Sequence, residues 1–258
     1  MSTVAGLPSF ARAAPPRTGR ARDPREQDLL FSVAMARGLA FFGLSAWGAL
    51  HWMSMLQPSA PGRGWAAVAV GLMAAFGLLG AGRVPGRRRT LLAIAVLIPA
   101  AALAALAGGV PAALLSPDRW GELSSGIGRG IADLPGIRVP YEGLDTWVRI
   151  DIPLGGSALV LLAAALAFWP RRERLGHPLA ALAVLIVLYV VPVVALEFTV
   201  EFVRGAVFAV LMVAFLRLEQ LRMPDTGAAA WLALGTVVLG LVVAPALNRD
   251  QPWFDYED

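Results

Sequence analysis

The chain has 258 residues, of which 57% are hydrophobic and only 16% are charged, with a formal net charge of +4. Soluble domains carry about 25% charged residues, so this composition indicates an integral membrane protein without a sizeable soluble domain. Cysteine is absent, which excludes disulfides, thiol nucleophiles and thiolate metal sites from these residues.

Residues 1–28 are rich in Pro, Ala and Arg and show no apolar period, which predicts a disordered basic cytoplasmic arm. The arginines of this arm either contact anionic lipid headgroups or only determine topology. Residues 29–249 are predicted to form a membrane domain, because seven stretches approach the roughly 20 apolar residues of a bilayer-crossing helix. These stretches are 33–56, 65–81, 91–107, 152–169, 178–196, 202–216 and 228–247.

Residues 112–151 form the only sizeable predicted loop. Within it, five apolar residues at helical spacing predict an amphipathic helix that lies on the membrane surface. They are Trp120, Leu123, Ile127, Ile131 and Leu134. Several glycines interrupt the same segment and oppose a stable helix, at about 1 kcal/mol each relative to Ala.

Arginine is distributed unevenly between the two predicted sides of the membrane. The side that carries the N-terminus holds 15 of the 22 arginines, counted over the N-terminal segment and three inter-helix loops. The positive-inside rule therefore predicts a cytoplasmic N-terminus and an extracytoplasmic C-terminus. The predicted fold is an all-α polytopic bundle of about seven transmembrane helices, with the loop 112–151 and the tail 250–258 outside the cell.

Three ionisable residues near the end of the fifth stretch form a candidate functional or packing cluster. Glu197, Glu201 and Arg204 are spaced 4 and 3 residues apart, which places them on one face of a continuous helix. Ionisable groups at membrane depth are functional hypotheses by default. A solvated turn between two helices explains the same residues without a function.

The remaining polar residues offer no catalytic or metal-binding pattern. His51 and His177 are predicted to lie at opposite membrane faces, so they cannot share a metal. The acids of the long loop could line an outer surface for a cation or a glycan. Because arginines are interleaved with them, they are interpreted as an ordinary solvated loop. These acids are Asp118, Glu122, Asp133, Glu142, Asp145 and Asp151.

Short motifs in the second half of the chain resemble a known family. They are VPY at 139–141, WVR at 147–149, LGG at 154–156, AFWPR at 167–171, APAL at 244–247 and PWFDY at 252–256. In this order they resemble the N-terminal membrane region of bacterial transglutaminase-like membrane proteins, especially actinobacterial ones. The resemblance covers the chain from the first predicted helix to its C-terminus.

In that family an extracytoplasmic papain-like domain with a Cys-His-Asp triad follows the membrane bundle. The resemblance implies that this chain is the anchor of such a domain in the bacterial cell membrane. No catalytic residue carries over because the chain has no Cys, so the chain is expected not to be an enzyme by itself. The expected partners are the lipid bilayer and a transglutaminase-like domain in cis or in trans. No cofactor, metal or nucleic acid is expected.

A docking surface for the following domain is predicted on the outer side. It comprises the five stripe residues, Trp147, and the aromatic residues Trp253, Phe254 and Tyr256 of the tail. Two other functions stay open. A small transporter would need polar groups in the bilayer, and the fourth and seventh stretches offer only Ser157 and Thr236 as polar side chains. A lipid- or cell-wall-precursor-handling protein would use the outer amphipathic stripe.

Overall fold

The computed structural model describes residues 24–170, 176–196 and 201–217, with side chains from 37 onward in the first helix and from 204 to 216 in the last. Over these ranges the chain is helical and has no strand, apart from an isolated bridge between Leu56 and Tyr141. The helices are α1 Pro24–Met53, α2 Pro61–Gly82, α3 Arg88–Gly108, α4 Trp120–Asp133, α5 Thr146–Phe168, α6 Pro178–Leu196 and α7 Glu201–Arg217.

Four helices, α2, α3, α5 and α6, are long and apolar enough to cross a membrane. They fall on the predicted stretches 65–81, 91–107, 152–169 and 178–196, which confirms the predicted all-helical fold with several apolar helices of membrane-crossing length. Helix α1 forms where 33–56 predicts a helix, and α7 has a shorter apolar segment. The stretch 228–247 and the tail 250–258 lie outside the described residues, so seven crossings remain a prediction.

Two helix starts differ from the predicted boundaries. Helix α1 begins at Pro24, inside the predicted arm, and proline is favourable in the first turn because its missing N–H needs no partner there. Helix α5 begins at Thr146, inside the predicted loop. The Asp145 side chain accepts hydrogen bonds from the backbone N–H groups of Trp147 and Val148, and it therefore caps the α5 N-terminus.

Successive long helices run antiparallel. Helices α1, α3 and α6 end where α2, α5 and α7 begin, and α4 packs on the first turns of α5 at this end of the bundle. We call this end of the bundle the α4 end. Helix α5 lies at the centre of the described bundle and contacts α1, α2, α3, α4 and α6.

Small residues bring the central helices together. Ala163, Ala164 and Ala167 of α5 are fully buried. A Cβ atom added to Gly71 of α2 would lie 2.6 Å from Cγ1 of Val160, which is closer than van der Waals contact allows. Such interfaces suit helices in lipid, where packing of small residues drives association because the hydrophobic effect between helices is absent.

Large aliphatic side chains cover the outer faces of the same helices. Ile98 of α3 is 66% exposed, and Leu91, Leu179 and Val194 are exposed as well. Contiguous apolar surface of this kind is unfavourable in water and is satisfied by lipid chains. The packing therefore agrees with the apolar composition of these helices.

Replacement of Gly71 by Ala should destabilise the bundle by about 1–3 kcal/mol, because the added methyl group overlaps Val160. Gly80 of the same helix is the matched control, since no atom lies within 4 Å of an added Cβ. Gly80→Ala should be neutral or stabilising by up to about 1 kcal/mol. Thermal unfolding in detergent micelles measures both, and equal melting temperatures for the two variants would contradict the packing described.

Candidate functional site

Helix α4 confirms the helix predicted from the apolar stripe, but its glycines have a different role from the one expected. The sequence suggested that they only weaken the helix. In the structure Gly126 and Gly130 are the buried residues of α4, and they face α5. Residues four apart lie on the same side of a helix, so the two glycines form one flat face.

This glycine face lets the two helices approach closely. A Cβ atom at Gly126 would overlap the Trp147 indole, and one at Gly130 would overlap Oδ2 of Asp151. At Gly130 the added atom would also lie 3.0 Å from the backbone carbonyl carbon of Trp147. The spacing is that of the Gly-x-x-x-Gly pattern, in which glycines allow helix backbones to pack against each other.

Asp151 lies beneath the glycine face. The sequence placed it among solvated loop acids, and this interpretation is wrong for Asp151. Its side chain is 7% exposed, and neither carboxyl oxygen has a hydrogen-bond partner among the described residues. The reason is that α5 begins at Thr146, so Asp151 is already in the second turn of a helix and under α4.

The residues of α5 next to Asp151 belong to two apolar clusters. One contains Ile150 with Val110, Leu114, Leu123 and Trp147, and the other contains Val148 and Ile152 with Met55, Leu56 and Leu134. Apart from the Trp147 indole N–H, these neighbours have no side-chain donor for a carboxylate. An ionised carboxylate in such surroundings is strongly unfavourable unless it is paired.

Two arginines at the α4 end bind backbone carbonyls. Pro153 has no N–H, so the carbonyl of Arg149 lacks its helical donor. Nη1 of Arg63 donates to this carbonyl and to that of Gly108 at the end of α3, each over 3.4 Å. The Arg149 guanidinium in turn donates to the carbonyls of Gln57 and Gly143, over 3.1 and 3.2 Å.

Backbone bonds fix the connecting segments at the α4 end. The Tyr141 N–H donates to the Met55 carbonyl over 2.7 Å, and the Gln57 N–H donates to the Tyr141 carbonyl over 2.9 Å. A side-chain bond joins the neighbouring helices: Nε1 of Trp52 in α1 donates to the Ile152 carbonyl of α5 over 2.5 Å. We call residues 54–58, α4 and residues 137–145 together the cap, because they cover this end of the bundle.

The residues of the predicted docking surface divide into two groups. Trp120 and Ile131 are exposed, at 59% and 54%. Leu123, Leu134 and Trp147 are partly buried against the two apolar clusters beneath α4, and Ile127 is partly buried. Trp253, Phe254 and Tyr256 lie outside the described residues.

Of the predicted polar cluster, the structure describes only the Arg204 side chain. Glu197 is outside the described residues, as is the side chain of Glu201. Arg204 is buried in α7, one turn before Phe208. Tyr189 stacks on Phe208 with ring centroids 4.3 Å apart.

His51 of α1 also contacts Tyr189, so side chains of α1, α6 and α7 meet here. We call this contact region the seam; the sequence did not predict it. Nδ1 of His51 lies 2.8 Å from the Trp47 carbonyl oxygen, and the His51 ring meets Tyr189 edge-on at 5.3 Å. Fourteen residues earlier on α1, the Arg37 guanidinium lies 5.8 Å from the Phe168 ring and 5.7 Å from that of Phe215. The interfaces of α1 therefore bury polar groups at two levels of the bundle.

Within the part of the chain that the structure describes, no three His, Cys, Asp or Glu residues group as metal ligands would. A comparison with protein-family models, curated proteins and solved structures finds no match. The buried carboxyl of Asp151 and the cap above it are thus assigned as the candidate site on geometry alone.

Replacement of Gly126 by Ala should loosen α4, because the added methyl group overlaps the Trp147 ring. The expected loss in docking free energy is about 1–3 kcal/mol. The backbone amides of α4 should therefore exchange hydrogen faster in this variant than in the wild type.

Gly128 is the control on the same helix, since an added Cβ there meets no atom within 4 Å. Gly128→Ala should leave α4 exchange unchanged or slower, because Ala favours helix over Gly. Faster exchange in both variants would show that loss of glycine itself, rather than contact with α5, controls α4.

Proposed function

We propose that the chain is a membrane scaffold that holds an extracytoplasmic transglutaminase-like domain at the α4 end. The observation that carries the proposal is the construction of the cap. Its backbone is fixed to α5, because the Arg149 guanidinium donates to the carbonyls of Gln57 and Gly143 and α4 packs closely on α5, yet it presents large apolar side chains outward. A fixed surface with exposed apolar groups suits contact with another folded domain.

Three exposed residues define this contact surface. Trp120 and Ile131 belong to α4, and Leu144 precedes α5 and is 92% exposed. The tail 250–258 is predicted to emerge at the same end, since the predicted crossing 228–247 would return the chain from the end of α7. The uneven arginine distribution supports assigning this end to the outside of the cell.

The transglutaminase-like character of the held domain rests on the sequence resemblance. The role proposed for this chain is positioning: it contributes no thiol nucleophile, because it has no cysteine. A domain held at a fixed height above the bilayer reaches only substrates near the membrane surface, which is the functional gain of such an anchor.

Photo-crosslinking in living cells tests the proposal. A benzophenone amino acid at Leu144, in the protein expressed from its own locus, should crosslink to a cysteine-containing papain-like domain identified by mass spectrometry. The matched control is the same probe at Phe76, an exposed residue of the span α2, which should crosslink to lipid. The proposal would be contradicted if the native product has a mass of 27.2 kDa, which is that of these residues alone, and the Leu144 adducts contain no such domain.

A further inference from the structure

Asp151 is a buried acid that the scaffold role does not use. Both of its carboxyl oxygens are shielded from solvent, and no group in the described ranges donates a hydrogen bond to either of them. Ionisable groups inside membrane proteins are normally paired or functional. A charge left unpaired at such a site is unfavourable enough that the group binds something that neutralises it.

The charged groups around Asp151 do not supply that neutralisation. On α5, Asp145 is acidic and caps the helix, while the guanidinium of Arg149 binds two carbonyls. On α2, Arg63 also binds carbonyls. The charged residues of α4, Glu122, Arg129 and Asp133, are exposed and lie off the glycine face.

The available space decides which ligand fits. Gly130 lies so close to Oδ2 that even a methyl group at its Cα would overlap the oxygen. A metal ion needs several further oxygen ligands at more than 2 Å, and the described residues show no such group of ligands. A proton needs no volume and removes the charge.

We propose that Asp151 is a proton-binding site that controls the docking of α4. The carboxyl is protonated while the glycine face covers it. When the proton leaves to solvent at the α4 end, the resulting carboxylate requires water, which reaches it only after α4 has moved away from α5. Docking of α4 is therefore stabilised by protonation and weakened as the pH rises.

Infrared spectroscopy of the whole protein in lipid nanodiscs tests the protonation state. At pH 5 the wild type should show the carbonyl stretch of a protonated buried carboxyl, and Asp151→Asn should lose this band. Asp133→Asn, which removes an exposed acid of α4, should retain it. Identical spectra for the wild type and Asp151→Asn would show that Asp151 is ionised and would overturn the proposal.

Hydrogen exchange measures the consequence for α4. After correction for the intrinsic pH dependence of exchange, protection of the α4 amides should fall with rising pH in the wild type and in Asp133→Asn. It should stay constant in Asp151→Asn, because the amide is a neutral isostere of the protonated acid. Protection that does not change with pH in the wild type would contradict the control of docking.

Gly130→Ala supplies a second variant in which Asp151 is retained. The added methyl group should lift α4 and admit water, so the protonated-carboxyl band should disappear at pH 5 while α3 and α6 amides remain protected. Persistence of the band together with fast exchange of α4 would show that the proton is held independently of the helix, and this result would also overturn the proposal.

Discussion

The close approach of α4 and α5 at Gly126 and Gly130 is the contact on which the α4 end depends. It holds α4 against the bundle through backbone proximity, where larger side chains would keep the helices apart. It also turns Trp120 and Ile131 outward and covers Asp151. One pair of glycines therefore determines both the outer surface and the buried carboxyl beneath it.

Backbone carbonyls set the second constraint. In a bilayer an unsatisfied carbonyl costs several kcal/mol, and Pro153 leaves one such group on Arg149 without its helical partner. Arg63 donates to that carbonyl and to the end of α3, so a single guanidinium joins three helices. Arg149 likewise donates to two backbone carbonyls, and neither carboxyl oxygen of Asp151 has a hydrogen-bond partner among the described residues.

The helices could be predicted from sequence because apolar length and apolar period are local properties, and α4 formed where its stripe predicted a helix. The role of its glycines could not be predicted, since it depends on which residues of α5 lie opposite. Asp151 was misassigned for a related reason: the predicted helix start was placed at the apolar run. The capping residue Asp145 was a local signal for the earlier start. The seam of His51, Tyr189 and Phe208 joins three helices that are distant in sequence, and no local pattern indicates it.

The most direct test of this account is whether α4 lies on α5 in native membranes. Because the chain has no cysteine, engineered pairs can be crosslinked without background. Leu123→Cys with Ile150→Cys joins two residues of one apolar cluster, whereas Ser124→Cys with Ile150→Cys uses the exposed neighbour of Leu123. The account predicts rapid disulfide formation in the first pair and little in the second. Equal, slow formation in both pairs would contradict the docking of α4 on α5.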